Sequence, residues 1–293
     1  MNMGNQTESR RGKQNRSGRQ SRAKVFCNLC DSRGGFSEDL LKLTAVITMF
    51  IDHVGAGILE NLLRGGLSAE INRSILWQAD GVLRLIGRMA FPIFMYLLLE
   101  GFLHTRSRLK YGLRLFLFAL LSEVPFDLLF FGKLTLEYQN VYWTLLLGLI
   151  TLCCMELAEE MQLPRPFTYF FLAASAAAGG LAAWLMRTDY SWKGIVLIAM
   201  LYLFRNRRGL QCILAPAAFL VALAAGWLGN GAGAAGLMDL LASEWTVFVS
   251  FYMIYRCNGK RYMRKNKLFF YAFYPLHLLF LLFFLYIFRI VFG

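Results

Sequence analysis

Charge is scarce in this sequence: 17% of its 293 residues are Asp, Glu, Lys or Arg and 57% are hydrophobic, against roughly 25% and 45–50% in an average soluble domain. A soluble core cannot absorb that much apolar side chain, which excludes an ordinary water-soluble domain. Cysteine supplies no disulfide framework, because Cys153 and Cys154 adjoin within an apolar run, Cys212 and Cys257 flank another, and Cys27 and Cys30 sit in a basic tail. The pair Cys27-Asn28-Leu29-Cys30 has the spacing of half a zinc site, but no second pair or His-x-x-x-His completes four ligands, so no metal is expected. A signal peptide is not expected either: the first charged stretch is long, and the apolar run after it is too long and lacks a small-residue cleavage site. Internal inverted repeats, which many transporters carry, are not seen.

What the sequence has is a series of apolar runs. They cover about 40–62, 82–103, 112–131, 141–157, 167–186, 192–204, 211–228, 236–255 and 268–291, each near the roughly 20 residues that cross a bilayer. The fold class is therefore all-α, a polytopic transmembrane helical bundle of about nine spans, eight to ten with allowance for soft boundaries. The run 192–204 is short and suggests a broken or tilted helix paired with its neighbour. Residues 1–35 are polar and rich in Arg, Ser, Gln and Gly, which predicts a disordered basic cytoplasmic tail, with 36–293 as one transmembrane domain.

The formal net charge of +13 needs no nucleic-acid partner, since the cations lie in the tail and in short loops. The tail, Arg106/Arg108/Lys110, Arg205/Arg207/Arg208 and the stretch from Arg256 to Lys267 alternate with loops poorer in Lys and Arg. This pattern predicts an N-terminus inside the cell and a C-terminus outside. The loop 156–166 breaks the trend with Glu156, Glu159 and Glu160.

Ionisable residues inside the runs carry the functional signal, because a charge at the bilayer centre costs about 2.5–3.5 kcal/mol or more. Lys42 and His53 are eleven residues apart in the first helix, which returns to nearly the same face about 16 Å further along. Asp52 adjoins His53 but lies about 100° round the helix, facing a different partner. The second helix carries Arg84 and Arg88 one turn apart near its outer end and Glu100 and His104 one turn apart near its inner end. The third carries Glu123 and Asp127 one turn apart, with Pro125 between them to kink the helix. These depths predict a polar site in the outer half built from His53, Arg84, Arg88, Glu123 and Asp127, with Asn140, Thr144, Asp189 and Tyr190 approaching from the same side. His277 lies in the last helix beside Pro275, which frees a backbone carbonyl there, and His277 is a candidate proton-transfer group.

Each candidate also has a purely structural role open to it. Arg84 and Arg88 can pair with Glu123 and Asp127 only to hold helices together, and Glu100 can pair with Lys42 or Arg114. His104 sits at a membrane boundary. His53 is the strongest functional candidate, a neutral-capable base deep in a helix, beside a carboxylate and in phase with a cation.

At these residues a resemblance emerges. The stretches Leu41-Lys42-Leu43-Thr44 through Asp52-His53-Val54-Gly55, Leu83-Arg84-Leu85-Ile86-Gly87-Arg88 through Phe91-Pro92, and Glu100-Gly101-Phe102-Leu103-His104 resemble the TraX family of bacterial membrane proteins. So do Ser122-Glu123-Val124-Pro125-Phe126-Asp127, Asn140-Val141 leading to Thr144, Asp189-Tyr190 with Gly194, and Phe273-Tyr274-Pro275-Leu276-His277. That family is named for a conjugation protein associated with acetylating the N-terminus of pilin, and is similar to the wider group of membrane acyltransferases. In the wider group an Arg-x10-His pair marks the first helix; here His53 takes the place of the histidine and Lys42 that of the arginine.

The resemblance implies an acyltransferase in the bacterial cytoplasmic membrane that moves an acetyl group from acetyl-CoA to an extracytoplasmic amine or hydroxyl of a pilin-like protein, a glycan or a lipid. Such chemistry needs a base and a stabiliser of oxyanion charge. His53 is the expected base, Asp52 the residue that fixes it or a neighbouring donor, and Arg84 or Arg88 the stabiliser. Arg106, Arg108, Lys110, Arg205, Arg207 and Arg208 are the expected partners of the CoA phosphates, or else simple topology signals. Lys42, Glu100, His104 and Arg114 would line the donor's entry. Two other classes stay open: a transporter or flippase, and a non-enzymatic assembly factor for a surface appendage, which would need no base.

Overall fold

The structure, a computed structural model, describes residues 35–64, 73–229, 231, 234–260 and 267–292. The predicted tail, apart from Gly35, and its Cys27/Cys30 pair lie outside the described residues. Among the described residues the chain forms nine helices and no strand beyond isolated bridges: α1 (Glu38–Arg64), α2 (Arg73–His104), α3 (Arg108–Phe130), α4 (Val141–Glu160), α5 (Arg165–Leu185), α6 (Ser191–Leu203), α7 (Arg208–Gly229), α8 (Gly236–Arg256) and α9 (Lys267–Phe292). Seven are long and apolar enough to cross a membrane. The exceptions are α3, with 23 residues but five charged side chains, and α6, with 13 residues.

Local chemistry sets where the helices start. Ser37 caps α1, its hydroxyl accepting from the Leu40 amide at 3.1 Å, with Glu38 and Asp39 in the first turn where the helix dipole favours anions. Ser107 caps α3 in the same way. Asn140 caps α4, accepting from the Tyr142 amide at 3.0 Å.

The helices alternate in direction between a proximal end, which holds Ser37, and a distal end. Two ion pairs close the proximal end: Arg108 with Glu156, and Arg205 with Glu159 at 2.5 Å. These account for Glu156 and Glu159, which lie in the last turns of α4 and neutralise neighbouring arginines. At the distal end the Asn61 amide donates to the Leu129 carbonyl at 2.9 Å and its oxygen accepts from Arg289 at 3.2 Å.

The helix α2 is central, packing against α1, α4, α6 and α8, whereas α5 is peripheral. Pro92 offers no N–H to the Arg88 carbonyl, and regular α-helix is interrupted by a turn at Arg88 and Met89. Two hydroxyls of α8 brace this interruption: Thr246 donates to the Leu85 carbonyl at 2.7 Å and Ser250 to the Met89 carbonyl at 3.0 Å. A π-helical segment, Gly55–Leu59, begins two residues after His53 in α1.

The distal loops before α4 and α6 dip into the bundle. Asn140 donates to the Ala119 carbonyl, halfway along α3, and Tyr190 stacks on Phe91, halfway along α2, with ring centroids 3.6 Å apart. The loops bind each other through Gln139 N–H to the Arg187 carbonyl (3.1 Å) and Asp189 N–H to the Gln139 carbonyl (2.9 Å). Irregular backbone at membrane depth is tolerated where protein covers it and its polar groups are paired. The re-entry explains why α6 is short: the loop covers the depth that a longer helix would.

Close helix approach depends on glycine at a few points. A Cβ on Gly179 of α5 would lie 2.1 Å from the Thr151 hydroxyl of α4, and one on Gly194 of α6 would press on Thr144 and Phe91. Nothing lies within 4 Å of a Cβ on Gly81. Gly179→Ala should therefore destabilise the bundle by about 1–3 kcal/mol through overpacking, while Gly81→Ala is neutral or stabilising; thermal unfolding of the two variants in nanodiscs, followed by circular dichroism, checks this.

Candidate functional site

The elements bring a polar cluster together in the distal half. Asp52 of α1 faces α2 and accepts from Arg84 Nη1 at 2.5 Å. A Cβ on Gly87 would sit 2.1 Å from the Asp52 carboxylate, so only glycine leaves α2 room for that side chain. Arg88, one turn on, pairs through Nε with Glu244 of α8 at 3.1 Å. Tyr190 holds a left-handed backbone, φ 58°, its amide donating to the Asp189 carboxylate at 3.0 Å. A bulky residue adopts that conformation only where its surroundings over-determine it, as Phe91 stacked on its ring does. Thr144 donates to the Asp189 carbonyl, tying this loop to α4.

His53 faces α9, as its phase relative to Asp52 requires. Its Nδ1 lies 2.6 Å from Nε2 of His277, and His277 Nδ1 lies 2.8 Å from the Phe273 carbonyl. Phe130 and Tyr274 stand edge-on to the His53 ring. Lys42, on the same face, lies 5.9 Å from the centre of the Phe270 ring, so both residues face the last helix. Pro275 frees the Tyr271 carbonyl as expected, and that carbonyl accepts from the Tyr142 hydroxyl at 2.8 Å.

The expected partnerships change in three places. Glu123 and Asp127 do not pair with Arg84 and Arg88. Glu123 accepts from Trp143 at 3.0 Å and from Asn140, and Asp127 accepts from the Thr135 amide at 2.8 Å, so both acids hold the re-entrant loop and the start of α4. The helix runs on through Pro125. Lys42 pairs not with Glu100 but with Glu38 at 2.7 Å, one turn back, while Glu100 lies 3.4 Å from His104; a partner on the same helix is already in reach. Arg114 donates to the Lys110 carbonyl and lies over the Tyr111 and Tyr271 rings.

Of the six cations expected to meet phosphates, Arg108 and Arg205 are held by Glu156 and Glu159. Arg208 donates to the Ile254 carbonyl and to the Tyr96 hydroxyl. Arg106, Lys110 and Arg207 are exposed. Glu244 was not singled out from the sequence, although it stands inside an apolar run, the criterion that selected the others.

A cavity of about 250 Å³ opens at the proximal end among α1, α2, α3, α4 and α9. Glu38, Lys42, His104 and Arg114 lie at its proximal end, and Met49, Tyr142 and Tyr274 lie deeper. Tyr274 is thus both cavity wall and neighbour of His53.

A family model described as TraX protein matches residues 37–285, which takes in the ion pairs, the histidine pair and the cavity. The chain belongs to the TraX family. Among curated proteins, this TraX member is similar to a probable fimbrial assembly protein FimC, serogroup H1, of Dichelobacter nodosus, at 31% identity over 160 residues, 48% of this chain and 55% of that one. The chain spans about half the length of the curated relative it matches. No solved structure matches. With seven helices able to cross a membrane, this TraX chain is a multi-pass membrane protein.

Removing one member of a buried ion pair strands the other, at about 3–5 kcal/mol, whereas replacing both with apolar groups is often tolerated. Glu244→Leu should therefore lower the unfolding midpoint strongly, and the double variant Arg88→Leu/Glu244→Leu should recover most of the loss, measured by thermal unfolding of the purified chain.

Proposed function

We propose that this TraX chain is a membrane-bound acyltransferase, moving an acetyl group from acetyl-CoA at the proximal end to an amine or hydroxyl acceptor at the distal end, in the service of a surface appendage. The observation that supports it best is the placement of His53: a cavity open to the proximal end reaches Tyr274, which touches His53, and the Asp52–Arg84 pair begins one residue away. The proximal end is then the cytoplasmic one, where acetyl-CoA is found. Lys42, His104 and Arg114 around the cavity suit an anionic donor, and the apolar depth suits a thioester arm.

The chemistry assigned to the residues is direct. As the acceptor attacks the thioester carbonyl, its N–H or O–H proton passes to His53. The carbon–sulfur bond breaks, the new carbon–nitrogen or carbon–oxygen bond remains, and the departing thiolate takes the proton back from the imidazolium to leave the free thiol. Arg84, held in place by Asp52, supplies positive charge for the oxyanion. The relative's description as a probable fimbrial assembly protein supports a role at a surface appendage. It also supports a second reading, a non-enzymatic assembly factor with the same fold.

Transfer of radiolabelled acetyl from acetyl-CoA in membranes containing the chain separates the two. Wild type should label a product, His53→Ala should lower the rate by about 10²–10⁴-fold, the span of general-base catalysis, and Gly81→Ala, which touches nothing, should retain it. Equal labelling by His53→Ala would remove the base, and no labelling with no CoA binding would favour the assembly factor.

A further inference from the structure

The histidine pair carries more than proximity. The two rings are parallel to within 1° with centroids 4.9 Å apart and nitrogens 2.6 Å apart. Face-to-face stacking in this protein looks different, as Phe91 and Tyr190 show at 3.6 Å. The histidines therefore meet edge to edge in one plane, with an N–H of one aimed at the lone pair of the other.

The direction of that bond follows from the far end of the chain. The Phe273 carbonyl can only accept, so His277 Nδ1, 2.8 Å away, donates to it. In a neutral imidazole the other nitrogen then has a lone pair, so His277 Nε2 accepts and His53 Nδ1 donates. That leaves the lone pair of His53 on Nε2, for which no hydrogen-bond partner is found among the described residues. His277 is 4% exposed, packed against Phe50, Phe273 and Tyr274, so it cannot turn to reverse the order.

We infer that His277 is a positioning residue, which with the Phe273 carbonyl fixes His53 as the Nδ1–H tautomer and leaves Nε2 as its proton-accepting atom; its catalytic meaning rests on the acyltransferase reading. The unconstrained imidazole of histidine favours Nε2–H, which presents no lone pair at that atom. Histidine ligands are oriented through the second ring nitrogen in the same manner, usually by a carboxylate or carbonyl. A second histidine differs in what it allows: when Nε2 takes a proton, the Nδ1 proton can pass along the 2.6 Å bond to His277, spreading the charge over two rings.

Only three histidines occur, His53, His104 and His277, so ¹⁵N-histidine labelling of the full chain in nanodiscs gives a spectrum that single substitutions assign. Wild type should show His53 and His277 both protonated at Nδ1 with a lone pair at Nε2. His277→Gln keeps an acceptor near the position of Nε2 and should leave the His53 tautomer unchanged. His277→Asn cannot reach His53, which should shift toward Nε2–H, with acetyl transfer falling about 10- to 100-fold at unchanged KM. His53 protonated at Nε2 in wild type, or a His53 tautomer indifferent to His277→Asn, overturns the inference. The outcomes separate the two claims: the expected tautomers without any acetyl transfer retain the relay and sink the acyltransferase, while transfer with the wrong tautomer does the reverse.

Discussion

A charge inside a bilayer must find an opposite charge or a dense set of hydrogen bonds, and the ion pair between Asp52 and Arg84 meets that demand where the rest of the site is anchored. The pair fixes α1 against α2, and it can form only because Gly87 presents no side chain where the carboxylate lies. With Asp52 turned to α2, the next residue must point elsewhere, and His53 reaches α9. One helical step thus divides α1 into an electrostatic side and a hydrogen-bonded side, meeting at adjacent residues.

The second ion pair extends this logic to the helices beyond. Arg88 reaches Glu244 on α8, while the hydroxyls of Thr246 and Ser250 on the same α8 brace the interruption in α2. Loss of regular helix at Arg88 and Met89 would leave polar backbone exposed in an apolar medium, each unsatisfied group costing several kcal/mol. Here side chains of a neighbouring helix satisfy it. The ion pairs and the braced interruption thus lie in the distal half, and the proximal half holds the cavity.

Much of this was legible in the sequence because bilayer physics is restrictive. Nine apolar runs correspond to nine helices among the described residues, and helical phase alone separates Asp52 from His53 and aligns Lys42 with His53. The approach of Asn140, Thr144, Asp189 and Tyr190 followed from their places at run ends. The partners did not follow. Glu123 and Asp127 matched the arginines in depth and sign, yet depth says nothing of azimuth, and they turn to Trp143, Asn140 and the Thr135 amide. Glu38 displaced Glu100 as the partner of Lys42 because it lies one turn back on the same helix. Glu156 and Glu159 made no sense as topology signals, but as counter-ions to Arg108 and Arg205 at the end of α4 they do. The histidine pair joins residues 224 positions apart, which no local pattern encodes.

The central claim is that the proximal cavity admits an acyl thioester and delivers it toward His53. Leu97 lines that cavity and is partly accessible. In a chain whose six native cysteines are replaced by serine, Leu97→Cys can be alkylated with a maleimide in nanodiscs, with and without a non-transferable thioether analogue of acetyl-CoA. The account predicts that the analogue strongly slows alkylation at position 97 and leaves a cysteine at Leu136, exposed in the loop before α4, unaffected. Equal rates at position 97 at saturating analogue would contradict it.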